Sequence, residues 1–177
     1  MEKSQIYKKI HTVLKIVLPI LCVLWVAFIF SNSLQTAEKS VAQSTTVVDK
    51  VQDMAQIIAP QSPVATAKGE AYNRLHLIIR DLAHFMQFMV LGVLIGWCYF
   101  VYTAKFKFFY CPVLTLLVLP LIDEWLQTFV DGRGYEWADI FSDVFGAFTG
   151  LAVAVLTFIA VYSIYKIKTR EKATEGA

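Results

Sequence analysis

Residues 123–139, "DEWLQTFVDGRGYEWAD", lie between two long apolar runs and carry five acidic residues and one arginine. Such a density of ionisable groups stands out in a chain that is 57% hydrophobic and only 17% charged. The apolar runs on either side approach or exceed the roughly 20 residues that a helix needs to cross a bilayer. The quoted segment is therefore predicted to be a short polar turn between two membrane-spanning helices.

Four apolar blocks of this kind predict spans at about 13–31, 82–102, 107–123 and 139–165. They lack the alternation of barrel strands, so the spans should be helices. We predict an all-α polytopic membrane protein that forms one domain over residues 1–177. An alternative for the first block is a signal peptide, since a basic start precedes it and Ser31 and Ser33 suit a cleavage site. Cleavage there would leave three crossings.

The basic residues outside the spans predict the topology. Short basic segments precede the first block, lie between the second and third blocks, and follow the fourth: Lys3, Lys8, Lys9, Lys15; Lys105, Lys107; and Lys166, Lys168, Arg170, Lys172. By the positive-inside rule these segments and both termini are cytoplasmic, so residues 32–80 and the quoted turn face outward. Basic residues scattered in this way, without aromatic platforms, also argue against nucleic-acid binding.

The outer segment, residues 32–80, has an amphipathic helical pattern. Val41, Val48 and Val51 share one helix face, and Pro60 and Pro63 end the pattern. Such a helix either lies on the outer membrane surface or packs on the end of the bundle, and the sequence leaves both arrangements open.

Ionisable and amide side chains gather at the outer ends of three spans. Each charge at a span centre would cost about 2.5 to 3.5 kcal/mol, so these groups should lie near the interface and face one another. We predict a polar outer-leaflet pocket formed by Arg80, His84, Gln87, Asp123, Glu124, Gln127, Arg133, Asp139 and Asp143. Taken singly, each residue has a simpler explanation, such as a solvated helix end, a partner for a helix dipole or a surface ion pair.

Small residues continue the acidic stripe of the fourth span. Gly146 and Gly150 follow Asp139 and Asp143 at helical spacing, which predicts close packing of this face on another helix. The cysteines form no close-spaced pair and lie in the spans, so they are predicted to be free thiols: Cys22, Cys98 and Cys111.

Three motifs on successive spans resemble the VanZ-like family of membrane proteins: "RDLAHFMQFMVLG" (80–92), "DEWLQTFVDGR" (123–133) and "ADIFSDVFGAFTG" (138–150). The resemblance covers roughly the last hundred residues and the first span. The family commonly has proline-glycine-arginine in the turn, where this chain has Asp131, Gly132 and Arg133, and asparagine at the position of Asp143. The resemblance implies an accessory role in glycopeptide-antibiotic resistance, with lower susceptibility to teicoplanin, in the cytoplasmic membrane of a Gram-positive bacterium.

Two functional hypotheses follow, of different classes. In the first, the pocket binds a membrane lipid, a lipid-linked cell-wall precursor or the lipid-tailed glycopeptide itself, with Arg80 and Arg133 on anionic groups and no cofactor. The alternative is an intramembrane hydrolase or transferase acting on a phospholipid or polyprenyl phosphate. There the carboxylates and His84 would bind a divalent cation, or His84 would act as a general base. A third hypothesis is a small interaction subunit whose polar cluster only holds the helices together.

Overall fold

The structure is a computed structural model that describes residues 2–103 and 105–175. Over these residues it is entirely helical, with α1 (Glu2–Ser33), α2 (Ala37–Ile58), α3 (Glu70–Tyr102), α4 (Tyr110–Gln127) and α5 (Trp137–Glu175). A 3-10 turn, Phe106–Phe108, precedes α4. Within the described ranges, α1, α3, α4 and α5 are long and apolar enough to cross a membrane. The predicted all-α, four-span architecture is confirmed.

All four helices differ in their bounds from the predicted spans, and the differences in α4 and α3 bear on the polar end of the bundle. Helix α4 begins at Tyr110 and continues to Gln127, past the expected end at residue 123. The reason is that Asp123, Glu124 and Gln127 are all buried, so the last turn of α4 belongs to the bundle rather than to a solvated loop. Helix α3 begins at Glu70, well before the apolar stretch that marks its membrane-spanning part.

The four spans alternate in direction, which gives the bundle two distinct ends. At one end, the hydroxyl of Tyr102 in α3 donates a hydrogen bond to the carbonyl of Lys15 in α1, at 2.6 Å. At the other end, the hydroxyl of Ser33, where α1 finishes, donates to Asp123 near the end of α4. Helix α2 lies at this second end, called the α2 end below. Helices α1 and α4 run toward it, and α3 and α5 run away from it.

The first apolar block is a member of the bundle. Trp25 donates its indole N–H to the carbonyl oxygen of Gln87 at 2.8 Å, and Ile29 is buried in the core beside Phe88. Ser33, considered above as part of a cleavage site, is buried against Asp123. In this structure the block is therefore the first of the four spans.

Large apolar side chains cover the outside of the spans. Leu24 of α1 and Phe145 and Leu156 of α5 are each at least 60% exposed. A soluble protein rarely exposes apolar surface on this scale, whereas a bilayer solvates it. The chain is a multi-pass membrane protein.

Helix α2 packs on the bundle through one of its faces. Val48 is fully buried, Thr45 lies 3.3 Å from His76, and Tyr72 donates to Asp49 at 2.9 Å. Of the two arrangements left open by the sequence, the structure shows contact with protein. The opposite face of α2 still carries exposed apolar side chains.

The closest helix contact joins α3 and α5, which run in the same direction. A side chain at Gly146 would collide with the backbone carbonyl of Phe85, and one at Gly150 with that of Met89. The predicted glycine stripe of α5 thus faces α3. Because glycine has no side chain, the two backbones can come into direct contact here.

Helix α3 contributes glycines of its own to this contact. A side chain at Gly92 would collide with the backbone of Ala147, and one at Gly96 with the side chain of Ala154. The two helices therefore interlock through small residues on both sides. This reciprocal packing fixes which residues of α3 stand beside which residues of α5.

The cysteines are free thiols: Cys22, Cys98 and Cys111. They line an apolar cavity of about 650 Å³ between α1, α3 and α4. This cavity includes Tyr102 and Thr103, so it lies toward the end of the bundle away from α2.

We predict that Gly146→Leu and Gly150→Leu reduce the amount of folded protein in the membrane. The new side chains would meet backbone atoms of α3, which cannot move without separating the helices, and overpacking of this kind typically costs about 1 to 3 kcal/mol. Thermal unfolding and membrane abundance of the purified variants measure the effect. Gly134→Leu is the matched control, because a side chain at Gly134 would meet nothing within 4 Å. Equal stability of the three variants would contradict the packing described here.

Candidate functional site

Buried polar side chains are concentrated at the α2 end of the bundle. Five of them are at most 3% exposed: Asp123, Glu124, Gln127, Asp139 and Asp143. They come from the last turns of α4 and the first turns of α5. The turn 128–136 joins these helices, so the short connection holds the two acidic segments side by side.

The outermost layer of this region is centred on Arg80 of α3. Its Nη2 atom lies 2.7 Å from Glu136 and 3.3 Å from Asp139, and its Nε atom lies 3.9 Å from Asp81. Asp139 is buried, whereas Glu136 and Asp81 are about half exposed. The guanidinium group therefore compensates the negative charge of Asp139 within the bundle.

One helical turn deeper, His84 of α3 meets Asp143 of α5. The Nδ1 atom of His84 lies 3.2 Å from Oδ1 of Asp143. Each of these residues follows a member of the Arg80–Asp139 pair by four positions. The offset is the same on both helices because α3 and α5 run in the same direction in close contact. Asp143 is fully buried, and its other oxygen, Oδ2, has no hydrogen-bond partner among the described residues.

Helix α4 brings Asp123 to the same depth. Its Oδ1 atom accepts a hydrogen bond of 2.5 Å from the hydroxyl of Ser33, and Oδ2 accepts one of 3.2 Å from the side-chain amide of Gln127. His84, Asp123 and Asp143 each offer one ligand atom, and these atoms lie within 4.8 Å of one another. Nitrogen and oxygen donors at such spacing could hold a metal ion.

Glu124 serves the connection between α4 and α5. One carboxylate oxygen accepts a hydrogen bond from the backbone N–H of Glu136, just before α5 begins. Its second oxygen is buried and, over the part of the chain that the structure describes, has no hydrogen-bond partner. The Glu124 carboxylate thus joins the end of the turn to the last turn of α4.

Arg133 lies beside the end of α1 and the start of α2. Its guanidinium donates to the carbonyl of Ser33 at 3.0 Å and to the hydroxyl of Ser40 at 2.9 Å. Within residues 2–103 and 105–175, no carboxylate forms an ion pair with it. The physical reason is the course of the turn, in which Gly132 adopts a φ of 75° and passes beside α2.

A cavity of about 400 Å³ lies between α2, α3 and Arg133. This is within the usual range for small-molecule sites. Its polar wall is formed by Asn32, Ser33, Ser40, Gln43, Ser44, Arg80, His84, Gln87 and Arg133. Its apolar wall is formed by Val47, Val51, Ile79, Leu82, Ala83 and Met86.

The residues proposed from sequence fall into two groups. Four of them line the cavity: Arg80, His84, Gln87 and Arg133. The other five, from α4 and α5, form a buried layer behind this wall: Asp123, Glu124, Gln127, Asp139 and Asp143. His84 connects the two groups, since it lines the cavity and contacts Asp143.

Several lining and pairing residues escaped the sequence interpretation. Three of them lie at helical spacing on α2: Ser40, Gln43 and Ser44. This polar stripe beside the apolar face of α2 could have identified them as residues that face a polar site. Glu136 lies in the quoted turn, three residues before Asp139, and no periodicity connects it with Arg80.

We predict that Ser33→Ala lowers the thermal stability of the bundle. The substitution removes a donor from the buried carboxylate of Asp123, and hydrogen bonds to charged groups contribute about 1.5 to 3 kcal/mol. Ser31→Ala is the matched control on the same helix, because the exposed hydroxyl of Ser31 donates only to the carbonyl of Phe28. Thermal unfolding in detergent compares the two variants. Indistinguishable melting temperatures would show that the Ser33–Asp123 contact contributes nothing.

A comparison with known proteins identifies the family of this chain. A family model described as VanZ/LLP1 matches residues 18–160, a range that includes both the cavity and the buried layer. No curated protein and no solved structure matches the chain significantly. The family match covers most of the chain and agrees with the four-span helical fold. The protein belongs to the VanZ/LLP1 family and is a VanZ-like membrane protein.

Proposed function

We propose that this protein lowers susceptibility to lipid-tailed glycopeptides such as teicoplanin by binding the anionic head group of an amphiphile. Family membership supports a role in antibiotic resistance at the level of the family. The observation that carries the proposal is the cavity between α2 and α3, which combines two arginines with an apolar wall. A cavity with these two properties suits a molecule with a charged head and an apolar tail.

Arg133 is the anchor for the head group. Its hydrogen bonds go to a carbonyl and a hydroxyl, which leave its positive charge without an ion-pair partner among the described residues. Arg80, by contrast, is already engaged by Glu136 and Asp139. A guanidinium group offers paired N–H donors to phosphate or carboxylate oxygens, so Arg133 can bind an anion at the cavity wall.

The apolar wall accounts for the tail. Leu82 is 54% exposed and Met86 is 44% exposed, and both lie on α3 beside the cavity. An acyl or prenyl chain lying along these residues would leave the cavity toward the surrounding bilayer. A membrane lipid, a lipid-linked cell-wall precursor and teicoplanin all share this chemistry.

The distribution of basic residues supports the orientation that this function needs. With both termini in the cytoplasm, the α2 end and its cavity face the outer side of a bacterial cytoplasmic membrane. Glycopeptides act on cell-wall precursors at that surface. The proposed ligands are therefore accessible to the cavity.

A second candidate function is supported by the cluster of His84, Asp123 and Asp143. A metal ion or a general base beside a head-group cavity could support hydrolysis or transfer on a phospholipid or polyprenyl phosphate. Turnover of a labelled lipid by the purified protein would distinguish this enzyme from a binding protein.

We predict that Arg133→Gln weakens the binding of anionic amphiphiles at least about tenfold, which corresponds to ~1.4 kcal/mol. Binding is measured by native mass spectrometry against phosphatidylglycerol, a prenyl diphosphate precursor and teicoplanin, with phosphatidylcholine and tail-free vancomycin as comparisons. In a complementing strain, the same variant should increase teicoplanin susceptibility at normal protein abundance. Comparison of the three ligands identifies which class of amphiphile the cavity binds.

Two further variants serve as controls. Arg74→Gln removes an exposed arginine of α3 that pairs with Glu70, outside the cavity, and should bind as the unmodified protein does. Ser40→Ala removes one hydrogen-bond acceptor of Arg133 but keeps the charge of the arginine. It therefore shows whether Arg133→Gln weakens binding through the lost charge or through a displacement of α2. Full resistance and full binding by Arg133→Gln at normal abundance would refute the proposal.

A further inference from the structure

The three residues that meet behind the cavity come from three different spans. His84 lies on α3, Asp123 on α4 and Asp143 on α5, with one ligand atom of each within 4.8 Å of the others. The Nδ1–Oδ1 separation of 3.2 Å between His84 and Asp143 is close to the edge of a tetrahedron with metal–ligand bonds of about 2.0 Å. We propose that this cluster is a binding site for a divalent metal ion, a property that goes beyond the proposed amphiphile binding.

The balance of charge is the first argument. Asp123 and Asp143 are both fully buried. Neither forms an ion pair with an arginine in the described part of the chain, since Arg80 engages other carboxylates and Arg133 engages Ser33 and Ser40. Among the described residues, His84 is the basic side chain in direct contact with this pair, and one imidazole, even when protonated, carries less charge than two carboxylates. Buried charges are expected to be paired or bound to metal, and a divalent cation would neutralise both.

The second argument is the unpartnered oxygen of Asp143. Its Oδ2 atom is buried and, as far as the described residues reach, accepts no hydrogen bond. Buried polar atoms without a partner are rare in folded proteins, and an unobserved ion is one of the established explanations. A metal ion bound by both oxygens of Asp143 would supply the missing contact to Oδ2.

The surroundings of Asp123 resemble the outer shell of a metal site. Ser33 and Gln127 each donate a hydrogen bond to its carboxylate and fix its orientation. Such partners are typical of ligating carboxylates. The ligand atoms of the cluster lie up to 4.8 Å apart, so a small rotation of the Asp123 carboxylate would bring them all within bonding distance of one ion.

His84 provides a connection to the cavity. Its side chain is 14% exposed and lines the cavity wall, whereas both aspartates are fully enclosed. An ion at the cluster could therefore keep a coordination position open toward the cavity. Metal sites with three protein ligands and an open position are typical of catalytic rather than purely structural metals.

The donor set indicates which ions fit. One imidazole nitrogen and two carboxylates suit Zn²⁺ and Mn²⁺, whereas Ca²⁺ takes six to eight oxygen ligands. Mn²⁺ is the useful probe, because it is paramagnetic and reports directly bound nitrogen.

The experiment uses the full-length protein in detergent, stripped of metal with a chelator and titrated with Mn²⁺. We expect one tightly bound Mn²⁺ per chain by electron paramagnetic resonance, displaced by Zn²⁺. Pulsed spectra should show coupling to the nitrogen of one histidine. Asp123→Asn and Asp143→Asn, which keep the side-chain shape, should each weaken Mn²⁺ binding at least about tenfold.

Asp81→Asn is the matched control, because it removes a half-exposed acid three residues from His84 on the same helix. It should bind Mn²⁺ as the unmodified protein does. The proposal is overturned if the folded full-length protein binds no Mn²⁺, or if bound Mn²⁺ shows no histidine nitrogen. Unchanged affinity in both asparagine variants would also overturn it and would indicate that protons neutralise the aspartates. Amphiphile binding at Arg133 is measured separately, so the two proposals can fail independently.

Discussion

The close parallel packing of α3 on α5 is the constraint on which the rest of the structure depends. In lipid there is no hydrophobic force to drive two apolar helices together, so their association needs backbone contact and good packing. Gly92 of α3 and Gly146 and Gly150 of α5 allow that contact from both sides. The register that they fix continues outward along both helices and places Arg80 beside Asp139 and His84 beside Asp143.

The polar end of the bundle follows from this register and from the cost of charge in a membrane. Ionisable residues in a span must find one another or reach water. Asp123 adds a residue of α4 to the cluster, and the hydrogen bond that it accepts from Ser33 adds a residue of α1. All four spans thus contribute to one polar cluster, so a change in any helix position would alter the contacts of the same few side chains.

Sequence reasoning could predict those features that periodicity and the cost of charge determine. The four helical spans follow from block length, and the position of Gly146 and Gly150 on a packed face follows from their spacing. The packing of α2 could not be predicted, because an amphipathic pattern is the same for a membrane surface and for a protein surface. The partners of Arg133 depend on the backbone course of a turn that has no periodicity. Helix periodicity could likewise identify the polar residues, but it could not show which of them line the cavity and which form the buried layer.

The distribution of charge connects the two proposals physically. An anion held by Arg133 would lie in the cavity whose wall includes His84, with Asp143 directly behind it. Two ionised aspartates at that position would oppose the anion, because their field acts across a buried region of low dielectric. A divalent cation at the aspartates would remove this opposition and add an attractive charge on the same side. The cavity is therefore better suited to a phosphate or carboxylate head group when the cluster behind it carries a metal ion than when it carries two bare carboxylates.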